Sequence, residues 1–372
     1  MLERFTDMEK QLIIVNESKE RIVYWDIIKG ITILLVILGH TSGTPVSLRA
    51  VIFSFHMPMF FVANAFFIKK YDICDAFKKS ARSLLKPYLI ICCLEIFFAV
   101  QKQSDRIGKC KAVLVGLKSM VGGMSKIGIV FTSFSSVWLI WFICCLFISR
   151  IVYIAIRQVL KAFPDWVILC AIVPLAFGGY ELGIHQYFLP WSADVALVAL
   201  IFMWVGDELH KTGMTDKRDF HFIAVMAFFA WILLISKNFW IEMATRSYKG
   251  GWICIVSAVF GCIVCIETGI FLSKFEFSAS IFSWLGKNSL VILAVHCLEC
   301  MYFDWSSNFT FAGVSDHYIW IFRFIFRTAV ILVITFCYVF CRDYIKKMNH
   351  ETAAAPDADT ASKTIISTQL HK

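Results

Sequence analysis

Ile27-Ile28-Lys29-Gly30-Ile31-Thr32-Ile33-Leu34-Leu35-Val36-Ile37-Leu38-Gly39-His40-Thr41-Ser42-Gly43 is an apolar run interrupted by a lysine and closed by a histidine. A bilayer core about 30 Å thick is crossed by about 20 predominantly apolar residues in a helix. Nine further runs follow, at approximately 49–68, 87–101, 137–157, 164–180, 190–208, 220–236, 251–272, 288–303 and 317–341. They predict an all-α integral membrane protein with about ten transmembrane helices in one bundle. Composition agrees: 59% of the 372 residues are hydrophobic and 17% charged, where soluble domains are about half apolar. The run at 87–101 is short and holds Glu95, and the stretch 102–136 leaves room for a re-entrant or interfacial piece. Residues 27–345 therefore form one multi-span membrane domain, after a cytoplasmic N-terminal segment 1–26. Residues 346–372, rich in Ala, Thr, Ser and Asp, predict a disordered cytoplasmic tail. With Lys29 inside it and no small-residue cleavage site behind it, the first run is a retained helix and not a signal peptide.

A net charge of +9 would suggest nucleic acid in a soluble chain. Here the Lys and Arg residues cluster in short links between apolar runs, which is an orientation signal, and no nucleic-acid partner is expected. With both termini cytoplasmic, the inner links hold Lys69, Lys70, Lys78, Lys79, Arg82 and Lys86, then Arg150, Arg157 and Lys161, and later Lys211, Lys217, Arg218, Arg342, Lys346 and Lys347. The outer links with Glu181, His185, Asp304 and Asp316 carry no Lys or Arg. The stretch 102–136 runs against this pattern, with six basic residues on the outer side. Most of the fourteen cysteines lie inside apolar runs and read as buried thiols. No His-rich tract is present, so no metal is expected.

An ionised side chain near the bilayer centre costs roughly 2.5–3.5 kcal/mol, so each one needs a partner, a wet cavity or a task. His40 follows Lys29 by eleven positions, close to three turns, so both project from one face about 16 Å apart. Asp26 and Lys29 at the cytoplasmic end also fit a simple interfacial pair. The next run descends through Phe53-Ser54-Phe55-His56-Met57-Pro58-Met59-Phe60-Phe61, and the short link makes the first two helices antiparallel, bringing His56 to a depth similar to His40. Pro58 is expected to kink that helix. Gly286-Lys287-Asn288-Ser289 opens the ninth run, with His296 about two turns in. Arg323 and Arg327, four apart on the tenth run, are expected to face the bundle interior, with Glu95 and Glu267 as candidate counter-charges. Neutral imidazole takes a proton from a hydroxyl at neutral pH, which suits group transfer to an alcohol. The same residues also suit the proton relay of a transporter or flippase of envelope precursors, although neither inverted repeats nor paired broken helices are evident.

The stretch Arg21-Ile22-Val23-Tyr24-Trp25-Asp26-Ile27-Ile28-Lys29-Gly30, then Gly39-His40 and Phe55-His56-Met57-Pro58-Met59-Phe60-Phe61, resembles the opening of the membrane-bound acyltransferase type 3 family, especially its fucose 4-O-acetylase-like group. Lys29 and His40 match its basic residue, ten positions, histidine pattern. Lys79 and Arg82, ahead of Leu84-Leu85-Lys86-Pro87-Tyr88, resemble its basic pair. Residues 138–142, and Leu285-Gly286-Lys287-Asn288-Ser289 with His296, resemble its later motifs. One departure is that Asn64 and Ala65 stand where the family has Ser-Gly.

The resemblance implies a multi-pass enzyme of the cell membrane, surrounded by lipid, that takes an acyl group from cytoplasmic acyl-CoA, commonly acetyl-CoA. The acceptor it implies is a carbohydrate hydroxyl of a surface glycan or its lipid-linked precursor. It assigns His40 as general base or acyl relay with His56 beside it, and Lys29, Lys79 and Arg82 to the phosphates of CoA. His296, Arg323, Arg327 and Glu95 would line the substrate channel.

Overall fold

In hydrocarbon every backbone N–H and C=O must be satisfied within the protein, so a long apolar run folds as helix. A computed structural model describes residues 22–124, 126, 137–303, 305 and 318–354. The helices are α1 Val23–Gly39, α2 Val46–Phe66, α3 Ile73–Ser80, α4 Lys86–Ile107, α5 Lys109–Gly122, α6 Trp141–Val159 and α7 Asp165–Ile184. They continue as α8 Ala193–Thr212, α9 Arg218–Ser236, α10 Ile253–Leu272, α11 Glu276–Lys287, α12 Ser289–Tyr302 and α13 Ile319–Ala354. A π-helical turn, Ala81–Leu85, joins α3 to α4. Between α9 and α10 the chain makes a small antiparallel hairpin, β1 Ile241–Glu242 and β2 Ser247–Tyr248, with Ile241 opposite Tyr248.

The protein is a helical multi-pass membrane protein. Among the described residues seven helices are long and apolar enough to cross a bilayer, and an eighth if α11 and α12, bent by 66° at Asn288, count as one broken span. The third crossing is longer than the run that predicted it, extending over Ile73–Gln101. Two predicted spans, α1 and α8, fall short of that test for physical reasons. α1 has only 17 residues, and α8 carries Asp194, Asp207, Glu208 and Lys211. Both lie inside the bundle, where lipid does not set their composition. α1 packs against α2, α10, α11, α12 and α13. The carboxylate of Asp207 on α8 accepts hydrogen bonds from Tyr71 and Tyr153, each at 2.6 Å.

α1 and α11 meet at backbone distance. A Cβ on Gly30 would collide with the backbone carbonyl of Phe282, and one on Gly286 with that of Asp26. Small residues let membrane helices meet at backbone distance. The glycines of Lys29-Gly30 and Gly286-Lys287 therefore set the position of α1 and, with it, of Lys29.

The boundary of the C-terminal tail differs from expectation. α13 continues to Ala354, so residues 346–354, expected in the tail, are helical; residues 355–372 lie outside the described residues, as do residues 1–21 of the N-terminal segment. In the stretch 102–136, α5 is a 14-residue helix that folds back on α4, too short to cross a bilayer.

Candidate active site

α1, α2, α6, α12 and the hairpin enclose a cavity of about 320 Å³. Chain direction orders its wall. Lys29, near the start of α1, Asn64, near the end of α2, and Arg150 of α6 line one end; His40, Phe53 and hairpin residues Glu242, Met243 and Ala244 line the other, and His56 and Phe60 lie between. Lys29 pairs with Asp26 at 2.8 Å while its side chain stays on the cavity. The interfacial ion pair and the cavity lysine are thus one and the same group.

The two cavity histidines are held alike. Nδ1 of His40 donates to the carbonyl of Val36 at 2.8 Å, and Nδ1 of His56 to that of Ile52 at 2.9 Å. A carbonyl oxygen only accepts, so the proton lies on Nδ1 and, in the neutral ring, Nε2 carries the lone pair. In both cases the partner is the carbonyl four residues back on the same helix, so helix geometry alone orients each ring. Their neighbours differ. The ring of Phe53 separates the two, 5.8 Å from His40 and 5.1 Å from His56 between centroids, whereas His296 meets His40 directly at 5.7 Å.

Behind His40 is a buried polar network that includes a residue missed in the sequence. Glu299, one turn beyond His296, accepts from His296 Nδ1 at 3.1 Å and from both Nε and Nη2 of Arg327, at 2.8 and 2.9 Å. Arg327 Nη1 donates to the backbone carbonyl of His40 at 2.7 Å. Arg327 and His296 thus do face the bundle interior, but as a brace behind His40 and not as cavity lining. The counter-charge is Glu299; of the two candidates, Glu267 pairs with His221 at 2.6 Å and Glu95 is half-buried on α4. His296, Glu299 and Cys300 place ligand-type atoms close together. The Arg327 guanidinium already occupies both Glu299 oxygens and lies 3.0 Å from the Cys300 sulfur, a cation standing where a metal ion would have to sit.

Residues 22–342, which include every residue of the cavity and the brace, match a family described as an acyltransferase domain. The chain belongs to the membrane-bound acyltransferase type 3 family. A comparison with curated proteins gives no match.

In this acyltransferase the expected site residues divide into three groups. Lys29, His40 and His56 share the cavity. His296 and Arg327 brace it, and Arg323, buried on α13, reaches the carbonyl of Ser42 at 3.5 Å. Lys79 and Arg82 are exposed at α3 and the π turn; Lys79 pairs with Asp75 at 2.8 Å, while Leu84 of the same turn reaches the lining. Besides Glu299, sequence reasoning missed Arg150 and Glu242. The i, i+3 spacing of His296 and Glu299 was a usable signal. Arg150 was counted only as an orienting charge, although the departure at Asn64 bears on it: the Asn64 side-chain oxygen accepts from Arg150 at 2.7 Å. Nothing in the local pattern marks Glu242, which reaches the cavity only through the hairpin.

Proposed function

We propose that this acyltransferase moves an acetyl group from cytoplasmic acetyl-CoA to a hydroxyl of a cell-envelope carbohydrate, from a ten-span bundle with both termini cytoplasmic. The observation that carries the proposal is the polarity of the cavity, which has cations Lys29 and Arg150 at one end and imidazoles with an available Nε2 towards the other. A cavity of about 320 Å³ is at the small end of ligand sites. It suits the thioester arm, with the nucleotide end left at the rim near the exposed Lys79 and Arg82. Arginine and lysine pair with phosphate oxygens through charge and donated hydrogen bonds.

In the transfer step, Nε2 of His40 takes the proton of the acceptor hydroxyl as its oxygen attacks the thioester carbonyl. The C–O bond forms, the C–S bond breaks, and the imidazolium returns the proton to the departing thiolate. The products are an O-acetyl ester and CoA. The bond from Nδ1 to Val36 fixes the ring, and the brace on the His40 carbonyl fixes the helix end that carries it.

General-base catalysis contributes about 10²–10⁴-fold. Replacing His40 with Ala is expected to lower transfer of labelled acetyl from acetyl-CoA by that factor, with membrane insertion and yield unchanged. Deleting the gene in its host is expected to lower the O-acetyl content of surface glycans measured by NMR. An active, well-expressed His40→Ala protein, or proton-coupled flux in liposomes without acetyl-CoA turnover, would overturn the proposal.

A further inference from the structure

The hairpin between α9 and α10 does more than connect them. It inserts Glu242, Met243 and Ala244 into the wall of the cavity, at the end remote from Lys29. It is also held with unusual firmness. Arg246, in the left-handed region at φ 55°, forms a bidentate pair with Asp194 at the start of α8, Nε to Oδ2 at 2.8 Å and Nη2 to Oδ1 at 3.1 Å. Both side chains are fully buried. Arg246 Nη1 closes the hairpin on the Ala244 carbonyl at 2.9 Å, and its guanidinium stacks over Phe188 at 4.4 Å. Asp194 also accepts from the backbone N–H of Leu189. Against this fixed frame the Glu242 carboxylate is half-buried and, among the described residues, has no side-chain partner. An ionised carboxylate accepts hydrogen bonds and donates none, and a partly desolvated one gains most from donors supplied by a ligand.

Resting on the acetyl-transfer reading, we infer that the hairpin is the acceptor-binding wall and that Glu242 receives hydroxyl groups of a neutral, hydroxyl-rich acceptor beside His40. Among the described residues no Lys or Arg lines this end of the cavity; Lys29 and Arg150 line the other. An acidic sugar or a phosphorylated group would therefore meet Glu242 with nothing to offset the repulsion, while vicinal hydroxyls of a neutral sugar suit its two oxygens. The arrangement separates the substrates by charge: an anionic donor at the cationic end, a neutral acceptor at the carboxylate end. The rigid Asp194–Arg246 latch keeps Glu242 in register with the imidazoles.

The test complements a deletion strain with the full-length wild type, Glu242→Ala, Glu242→Gln and Glu242→Asp, each checked for membrane abundance. Two quantities are read: alkali-released acetyl from surface carbohydrate, with the acetylated sugar identified, and the shift in melting temperature that free CoA gives the purified protein. Expected are at least a tenfold loss of O-acetyl in the Ala and Gln variants, partial recovery in the Asp variant, acetyl on neutral sugars only, and a CoA shift equal to wild type in all. Wild-type O-acetyl levels in Glu242→Ala, loss of the CoA shift together with acetylation, or acetyl on acidic sugars would overturn the inference. A wild type that is stabilised by CoA yet adds no O-acetyl would overturn the acceptor assignment alone. A wild type that shows neither effect would overturn the acyl-CoA reading beneath it.

Discussion

Two buried arginine–carboxylate pairs, built from the same parts, do different things in this acyltransferase. Arg246–Asp194 and Arg327–Glu299 are both bidentate and both almost wholly removed from solvent. A bidentate fork satisfies the charge of each partner and most of its hydrogen-bonding groups. They differ in where Nη1 donates. Arg246 turns it on its own hairpin, to Ala244, whereas Arg327 sends it to the carbonyl of His40 while Glu299 holds His296. One pair fixes a loop. The other reaches the backbone of His40, at the proposed reacting centre.

The sharpest way to break this comparison is to strand each arginine and then remove it. Glu299→Ala leaves Arg327 buried without its counter-charge and is expected to destabilise the protein by about 3–5 kcal/mol, with acetyl transfer falling below detection. Asp194→Ala is expected to cost a similar amount of stability, with a smaller loss of transfer in the molecules that remain folded. An apolar double replacement of a buried ion pair is often neutral or stabilising. Glu299→Leu with Arg327→Met should therefore recover the melting temperature but not the activity, while Asp194→Leu with Arg246→Met should recover much of both. Equal recovery of activity in the two doubles would show that Arg327 has no role beyond folding.

A smaller effect is expected from Glu299→Gln, which keeps the shape and a side-chain oxygen but removes the charge. The His296 bond weakens and Arg327 loses its ion pair while retaining one acceptor. Hydrogen bonds to charged groups contribute about 1.5–3 kcal/mol, so transfer should fall roughly ten- to a hundredfold, and more than the melting temperature alone would explain. Steady-state rates at matched folded fraction check this.

The latch and the brace were legible to different degrees for a physical reason. Helical residues three or four apart, or a whole number of turns apart, share a face, so spacing alone pairs Arg323 with Arg327 and Lys29 with His40; the first two are buried and the second two line the cavity. Glu299 obeys the same rule one turn from His296 and is the counter-charge of Arg327, whereas the expected candidates Glu95 and Glu267 lie on other helices. Asp194–Arg246 spans 52 positions and joins a helix start to a hairpin of two-residue strands, and no local periodicity encodes such a contact. The same limit applies to the spans. Hydropathy follows lipid contact, so α9 and α13 were evident, while α1 and α8, whose surroundings are protein, carry polar residues that a span facing lipid would not tolerate. Lys79 and Arg82 are a different case: motif spacing marks them for the phosphates of CoA, and they lie exposed, outside the cavity lining.

A third arginine, half-buried, sharpens the comparison, because its partner is neutral. Arg150 donates to the Asn64 side-chain oxygen at 2.7 Å, with no carboxylate within ion-pair distance among the described residues. An amide orients a guanidinium without cancelling its charge, so Arg150 retains the positive charge that the other two arginines have given up to Glu299 and Asp194. That charge faces the same end of the cavity as Lys29, where the proposed donor brings its anionic groups. The departure from Ser-Gly at Asn64 is then a way of holding a cation in place. Asn64→Asp tests it with almost no change of shape, since the new carboxylate would give Arg150 an ion-pair partner. The expected result is a rise of about tenfold in KM for acetyl-CoA, equivalent to about 1.4 kcal/mol. The turnover number should stay near wild type, because an interaction made equally in the ground and transition states affects binding alone. An unchanged KM would show that the charge on Arg150 takes no part in holding the donor.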